Sequence, residues 1–367
     1  MIEMYRPVPG MPVGDVETPC LLLDLNALEK NFNTIAQTYE DTICKMRAHA
    51  KNHKSPIIAK KQIQAGGTVG GVCAAKVSEA EVMVNGGINN VLITNQIVTQ
   101  DKIARLCDLA KKADVIVAAD DPRNIKDISN AAVAHGASIG VLIEVDTSMG
   151  RAGIRDSALG VELAQLTASL PGITFRGIMS HQTLPGKPNP ETREIEGRGY
   201  IQKCLEVRNA IEAVGIPVDI VSSGETWTYD IASLIPGVTE VQGGTYALMS
   251  HSYDYMDAFS IAAKVMSTVI STPSETVAIG DVGRRALGAP GGVLPEIQDY
   301  DGVSVETIYD HQVILRSEGK MPLKIGDTFL LISGQQDIMV NRWDYFVTVR
   351  DGVVEGILDI EARGCVN

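Results

Sequence analysis

No run of the chain approaches the roughly 20 uninterrupted apolar residues that cross a bilayer. The start, Met1-Ile2-Glu3-Met4-Tyr5-Arg6-Pro7, lacks a basic stretch followed by an apolar one. No membrane span or secretory leader is therefore expected, and the protein is read as cytoplasmic. The six cysteines, Cys20, Cys44, Cys73, Cys107, Cys204 and Cys365, never fall in CxxC spacing, which argues against a disulfide framework and against a zinc ribbon. Positive charge is also in short supply: 32 Lys and Arg against 45 Asp and Glu leave a formal net charge of -13. That balance argues against nucleic acid as a partner, so local clusters of cations read as sites for small anions. The GxGxxG that a doubly wound sheet usually carries after its first strand is missing, and there is no internal repeat or low-complexity segment.

What is present is a length of 367 residues, 45% of them hydrophobic, enough for one large domain plus a smaller one or two of similar size. From about residue 18 to 250 short apolar runs alternate with longer amphipathic segments, the pattern of strand-helix units around a parallel sheet. The runs are Cys20–Leu23, Cys44–His49, Thr68–Cys73, Val91–Thr94, Val115–Ala118, Ile139–Val145, Gly177–Ser180, Val218–Val221 and Val238–Gln242. Helical patterns lie between them, as at Pro56–Ala65, Glu79–Asn85, Lys102–Lys112 and Tyr200–Val214. The count predicts a (β/α)8 barrel with one run to spare, so Cys20–Leu23 either leads into the barrel or belongs to a second domain.

After about residue 260 the texture changes. Val265–Ser271, Thr276–Ile279, Val303–Ile308, Gln312–Arg316, Thr328–Ile332, Tyr345–Arg350 and Gly352–Ile357 are short, β-branched and punctuated by Gly, Pro and Asp, which predicts an antiparallel β domain. The expected division is a barrel over residues 18–258 and a β domain formed by 259–367 with the N-terminal segment 1–17.

Barrel enzymes carry reactive groups at the C-terminal ends of strands, so the polar residues that follow each apolar run are the candidates. In Arg47-Ala48-His49-Ala50-Lys51-Asn52-His53-Lys54 three cations and two imidazoles crowd one short stretch. An amine among cations loses its proton more readily, and a neutral amine condenses with an aldehyde to a Schiff base; Lys51 is the candidate nucleophile. The other reading is a solvated basic turn between a strand and a helix. Further on come Asn95-Gln96, the stretch Asp146 to Gly153, Ser180-His181-Gln182, Ser222 to Thr226 and Gln242 to Tyr246. The last two are turns of small residues after late strands, where backbone N–H groups can cradle a phosphate, although Ser-Ser-Gly and Gly-Gly-Thr are also ordinary turn chemistry.

Taken in order, His49 to Lys54, Asp146 to Gly153, Ser222 to Thr226 and Gln242 to Tyr246 resemble the motifs of fold-type III pyridoxal-phosphate enzymes. The likeness is to the group of D-threonine aldolase, D-serine dehydratase and 3-hydroxy-D-aspartate aldolase, with alanine racemase more distant. It extends from Glu17-Thr18-Pro19 to Ala362-Arg363-Gly364. The resemblance implies that Lys51 holds pyridoxal 5'-phosphate covalently with His49 beside it, and that Arg151 lies near the cofactor's phenolic oxygen. It also implies that Ser223, Gly224, Thr226, Gly244, Thr245 and Tyr246 belong to the cofactor-binding turns. A homodimer is implied as well, because in catalytic members the β domain closes the partner's site.

Two positions depart from the group's pattern. Its members carry a His-x-Asp or His-x-Cys metal pair in the β domain, whereas here Gln335 stands in place of the histidine and Asp337 remains. Zinc prefers imidazole and thiolate, so the expected ion is Mg2+ or Mn2+, with a metal-free hydrogen-bonding pair as the alternative. His181 stands where relatives have tyrosine, and with an ordinary pKa of roughly 6.5 it is a candidate general base. The implied reaction is retro-aldol cleavage of a D-β-hydroxy amino acid to glycine and an aldehyde. Dehydration, racemisation and non-catalytic binding of the cofactor are the alternatives. Arg284-Arg285 reads either as a site for a second substrate carboxylate or as a solvated turn.

Overall fold

In the computed structural model, which describes residues 5–367, the strands are β1 (Cys20–Asp24), β2 (Lys45–His49), β3 (Thr68–Ala74), β4 (Asn90–Gln96), β5 (Asp114–Ala119), β6 (Ile139–Glu144), β7 (Ile173–Ser180), β8 (Ile220–Ser223) and β9 (Glu240–Val241). There follow β10 (Ala263–Ser274), β11 (Val277–Gly280), β12 (Glu296–Ile297), β13 (Val303–Ile308), β14 (Val313–Ser317), β15 (Thr328–Ile332), β16 (Tyr345–Arg350) and β17 (Val353–Asp359). Strands β2 to β9 close a parallel barrel in sequence order, with β2 pairing β9. This is the (β/α)8 fold read from the sequence. The spare apolar run is β1, which pairs antiparallel with β10 and parallel with β16.

Three of the helices that return the chain start at side-chain caps. Asp121 accepts the N–H groups of Arg123 and Asn124 ahead of Pro122, Asp156 accepts that of Ala158, and Asn189 accepts that of Thr192 ahead of Pro190. Each cap satisfies an N–H that the helix leaves open, a contribution of about 1 kcal/mol. Inside the barrel, alternate residues face the axis. Cys73, Leu92, Ile116, Ala118, Leu142, Met179 and Ile220 fill its middle, and burying each large side chain of this kind stabilises by roughly 1.5–3 kcal/mol.

By compactness the chain forms two units. One takes the segment through Phe32, Asn52–Ser55 and Thr245–Gly364; the other takes Asn33–Lys51, Pro56–Gly244 and Cys365–Asn367. These limits differ from the division expected at residues 18 and 258, because β1 is bonded into the antiparallel sheet and the chain rejoins that unit directly after β9. The antiparallel unit runs in the order β13-β14-β11-β10-β1-β16-β17, with β15 pairing β10 and β12. Its small core of Cys20, Leu22, Met266, Val347 and Val354 is covered by Val16, Met11 and Val13 of the N-terminal segment. Among the described residues no helix is long and apolar enough to cross a membrane.

Candidate active site

The basic cluster around Lys51 does not act as one patch. Arg47 turns into the barrel near the N-terminal mouth, where its Nε lies 2.7 Å from Glu240 Oε2 and its Nη1 bonds Asn90. Asn90 in turn donates to Asp114 at 2.7 Å. The pair is almost fully buried, so Arg47 is neutralised where it stands. Asn52, His53 and Lys54 are buried as well, and Lys54 takes a left-handed backbone, φ 56°, with its carbonyl accepting the N–H of Ala362. A solvated turn is therefore not what the stretch forms. Only His49 and Lys51 of the cluster reach the C-terminal mouth of the barrel.

There they line a cavity of about 220 Å³ together with Thr94, Gln96, Glu144, Arg151, His181 and Gln242. His49 ends β2, Gln96 ends β4, Glu144 ends β6, and His181 and Gln242 follow β7 and β9. The N–H of Lys51 lies 3.4 Å from His49 Nδ1, a long bond that makes Nδ1 the acceptor. His49 Nε2 then carries the hydrogen and donates to Thr94 Oγ1 at 3.2 Å, while Thr94 donates onward to the carbonyl of Ala74. The relay fixes the backbone from which the Lys51 side chain departs.

Arg151 is presented by a loop that two aspartates hold. Asp146 accepts the N–H groups of Met149 and Gly150 and pairs with Arg155 at 2.7 Å. Asp120 accepts the N–H of Gly153 at 2.7 Å. Gly153 has φ +105°, and a Cβ there would stand 2.7 Å from the nitrogen of Asp146, so only glycine closes this loop. Among the described residues neither Lys51 nor Arg151 has an ion-pair partner. His181 faces both. Burial, and then the charges of Lys51 and Arg151, push its pKa down to about 3, so the imidazole is neutral and weakly basic at neutral pH. The expectation of a base with an ordinary imidazole pKa is revised accordingly.

The small-residue turns lie next to this cavity and do not form its wall. Ser223 Oγ is 2.8 Å from Ser180 Oγ and accepts from Gln182 Nε2 at 2.9 Å. Gly224 has φ +109°, with Thr228 Oγ1 2.9 Å from where a Cβ would sit, and Thr226 is buried in the turn that follows. Gln242 joins turn and cavity: its N–H donates to the carbonyl of Gly224 at 3.2 Å. Its Nε2 donates to Ser222 Oγ at 3.0 Å, and Oε1 is buried with no hydrogen-bond partner among the described residues. Gly244 ends the barrel unit. Thr245 and Tyr246 begin the other unit, where Tyr246 packs against Phe32 and Phe259.

In the antiparallel unit Gln335 is an exposed side chain ahead of the short helix Gln336–Val340, and Asp337 Oδ1 accepts the N–H of Ile338 at 3.0 Å. No three His, Cys, Asp or Glu side chains converge as a metal set among the described residues. Sequence reasoning missed Glu144. It ends β6 but sits inside the apolar run Ile139–Val145, and alternation puts it on the same face as Leu142, which faces the axis. A carboxylate buried at the C-terminal end of a barrel strand was the available signal.

The alanine racemase N-terminal domain model matches residues 23–251, and a serine dehydratase domain model matches residues 262–349. A 3-hydroxy-D-aspartate aldolase from Paracoccus denitrificans (strain Pd 1222) is 35% identical over 97% of this chain and 95% of its own. A D-threonine aldolase from Arthrobacter sp is 34% identical over the same shares. The crystal structure of D-threonine aldolase from Filomicrobium marinum superposes with a TM-score of 0.94 at 34% identity, covering 99% of this chain and 100% of that one.

Proposed function

The chain belongs to the alanine racemase-like family of pyridoxal-phosphate enzymes that includes these aldolases, and from that premise we propose that it is a lyase splitting a D-β-hydroxy amino acid into glycine and an aldehyde. The observation that carries the reading is one cavity at the C-terminal mouth of the barrel that brings together Lys51 and Arg151, far apart in sequence and neither in an ion pair among the described residues.

The residues fit the cofactor. Lys51 and Arg151 on one cavity suit an aldehyde and a phenolic oxygen, and the buried Oε1 of Gln242, without a hydrogen-bond partner among the described residues, suits a donor on a bound group. Lys51 would hold it covalently, His49 would sit beside that linkage, Arg151 would lie at the phenolic oxygen, and Ser223, Gly224, Thr226, Gly244, Thr245 and Tyr246 would surround the phosphate. When bound, pyridoxal phosphate supplies an electron-poor ring that accepts the pair released at Cα. Whichever Cα bond is held perpendicular to that ring is the one broken, so the chain's part is orientation. His181, neutral, is placed to hold a hydrogen bond. The amine of Lys51 shares the cavity and would be placed to move a proton on the bound substrate.

We propose a homodimer in the cytoplasm. Gln335 and Asp337 offer only oxygen donors, a poor set for zinc and an acceptable part of one for Mg2+ or Mn2+. After chelation, whatever turnover is lost should return with Mn2+ or Mg2+; return with Zn2+ alone would remove this reading of the pair. The main test is to incubate the protein with pyridoxal phosphate and a panel of D-β-hydroxy amino acids, assaying aldehyde, keto acid and inverted amino acid separately. Aldehyde with equimolar glycine is expected. Keto acid alone would make it a dehydratase, for which the match over residues 262–349 speaks; inversion alone would make it a racemase. A Schiff-base chromophore without any turnover would leave a binding protein.

A further inference from the structure

Three carboxylates surround the loop that carries Arg151, and two of them are committed. Asp146 is taken by the N–H groups of Met149 and Gly150 and by Arg155, and Asp120 is taken by the N–H of Gly153. The third, Glu144, is 3% exposed and lines the cavity itself. One of its oxygens accepts Gln96 Nε2 from the end of β4, which seats the carboxylate and leaves the other oxygen for a second donor. A buried carboxylate is costly unless a cation or further donors meet it. Across the same cavity Arg151 stands on an exposed loop position with no ion pair among the described residues, and its side chain has rotamer freedom to lose. A guanidinium has five N–H donors in a rigid fork, so it can rest two on a carboxylate and still aim others at a second anion. His49 is spoken for by Lys51 and Thr94, and His181 is neutral.

We infer that Glu144 is a positioning residue: seated by Gln96, it is the carboxylate on which the guanidinium of Arg151 settles when the cavity fills, so that Arg151 is aimed at the bound cofactor. The inference rests on the reading of the cavity as a pyridoxal-phosphate site. It adds to that reading a reason for a buried acid in a cavity whose ligands are themselves anions.

The test uses reconstituted enzyme, wild type beside Glu144→Gln, Glu144→Asp, Arg151→Ala and the double variant Glu144→Gln with Arg151→Ala. The dissociation constant for pyridoxal phosphate is read from visible absorbance, the orientation of the bound ring from its visible circular dichroism, and folding from the far-ultraviolet band. Glu144→Gln should weaken cofactor binding about tenfold and diminish the visible dichroic band, as Arg151→Ala should, and Glu144→Asp should recover part of both. In the Arg151→Ala background the same Glu144→Gln change should add less than about twofold, since coupled residues fail to add. A full effect of Glu144→Gln in that background, or no effect in the wild-type background, would overturn the inference and leave the cofactor assignment standing. Wild-type protein that develops no Schiff-base absorbance at all would instead overturn the cofactor assignment, and the inference with it.

Discussion

The two mouths of the barrel contain the same kinds of residue and treat them oppositely. At the N-terminal mouth Arg47 meets Glu240, with Asn90 bridging on to Asp114, so the buried cation is answered within the fold. At the C-terminal mouth, among the described residues, Lys51 and Arg151 have no ion pairs, His181 is kept neutral, and Gln242 keeps an unmet acceptor. Arg47 and His49 are two residues apart on one strand, so strand direction separates the two outcomes and composition does not. The bottom of the barrel is closed by satisfied polar groups, and the top is left incomplete in a way that a small anion would complete.

That contrast is broken most severely at Lys51. Lys51→Ala should remove turnover by a factor on the order of 10⁴ and abolish borohydride labelling by the cofactor, with thermal stability unchanged. Labelling of another lysine would place the chemistry elsewhere. The mirror-image experiment is at the other mouth. Arg47→Ala leaves Glu240 buried without its partner and should cost about 3–5 kcal/mol in denaturant unfolding. Replacing both, Arg47→Met with Glu240→Leu, should recover most of it, and the Michaelis constant of the folded double variant should stay near wild type. A double variant as unstable as Arg47→Ala alone would show that the pair is not the reason for the loss.

Much of the contrast could be read from sequence, and the part that could not has a physical cause. The antiparallel strands were legible because β-branched runs are cut by turn residues: Val303–Ile308, Thr328–Ile332 and Tyr345–Arg350 match the observed strands residue for residue. The assignment of β1 was not, since four apolar residues, Cys20 to Leu23, read the same in a barrel as in a sheet edge; its pairing with β10, more than two hundred residues on, is non-local. At the site, Lys51, Arg151 and His181 are legible as polar residues that follow apolar runs, and His49 as the imidazole that closes one. Glu144 is not, because it sits inside the run Ile139–Val145, and the fate of Arg47 is not, because its partner is supplied by β9. The low basicity of His181 is not legible either: burial, which depends on the whole fold, lowers it first, and the cations that add to this come from two other loops.

The smallest expected effect concerns that histidine and sharpens the difference between a mouth whose charges cancel and one whose charges do not. With the cofactor removed, the folded protein holds His181 at about 3, while the unfolded chain takes a proton near the ordinary value of roughly 6.5. Above that value both states are neutral and His181 contributes nothing to the pH dependence. As pH falls from about 6.5 toward 3 the unfolded chain binds a proton that the fold refuses, so stability declines, by at most about 1.4 kcal/mol per pH unit. His181→Gln should remove that component, so the difference in unfolding free energy between wild type and variant should shift in the variant's favour as pH is lowered from 7 to 5. Parallel curves would mean that the imidazole takes its proton in the folded state as well, which requires water to reach it and the charges of Lys51 and Arg151 to be answered, and the contrast between the two mouths would lose this part of its support.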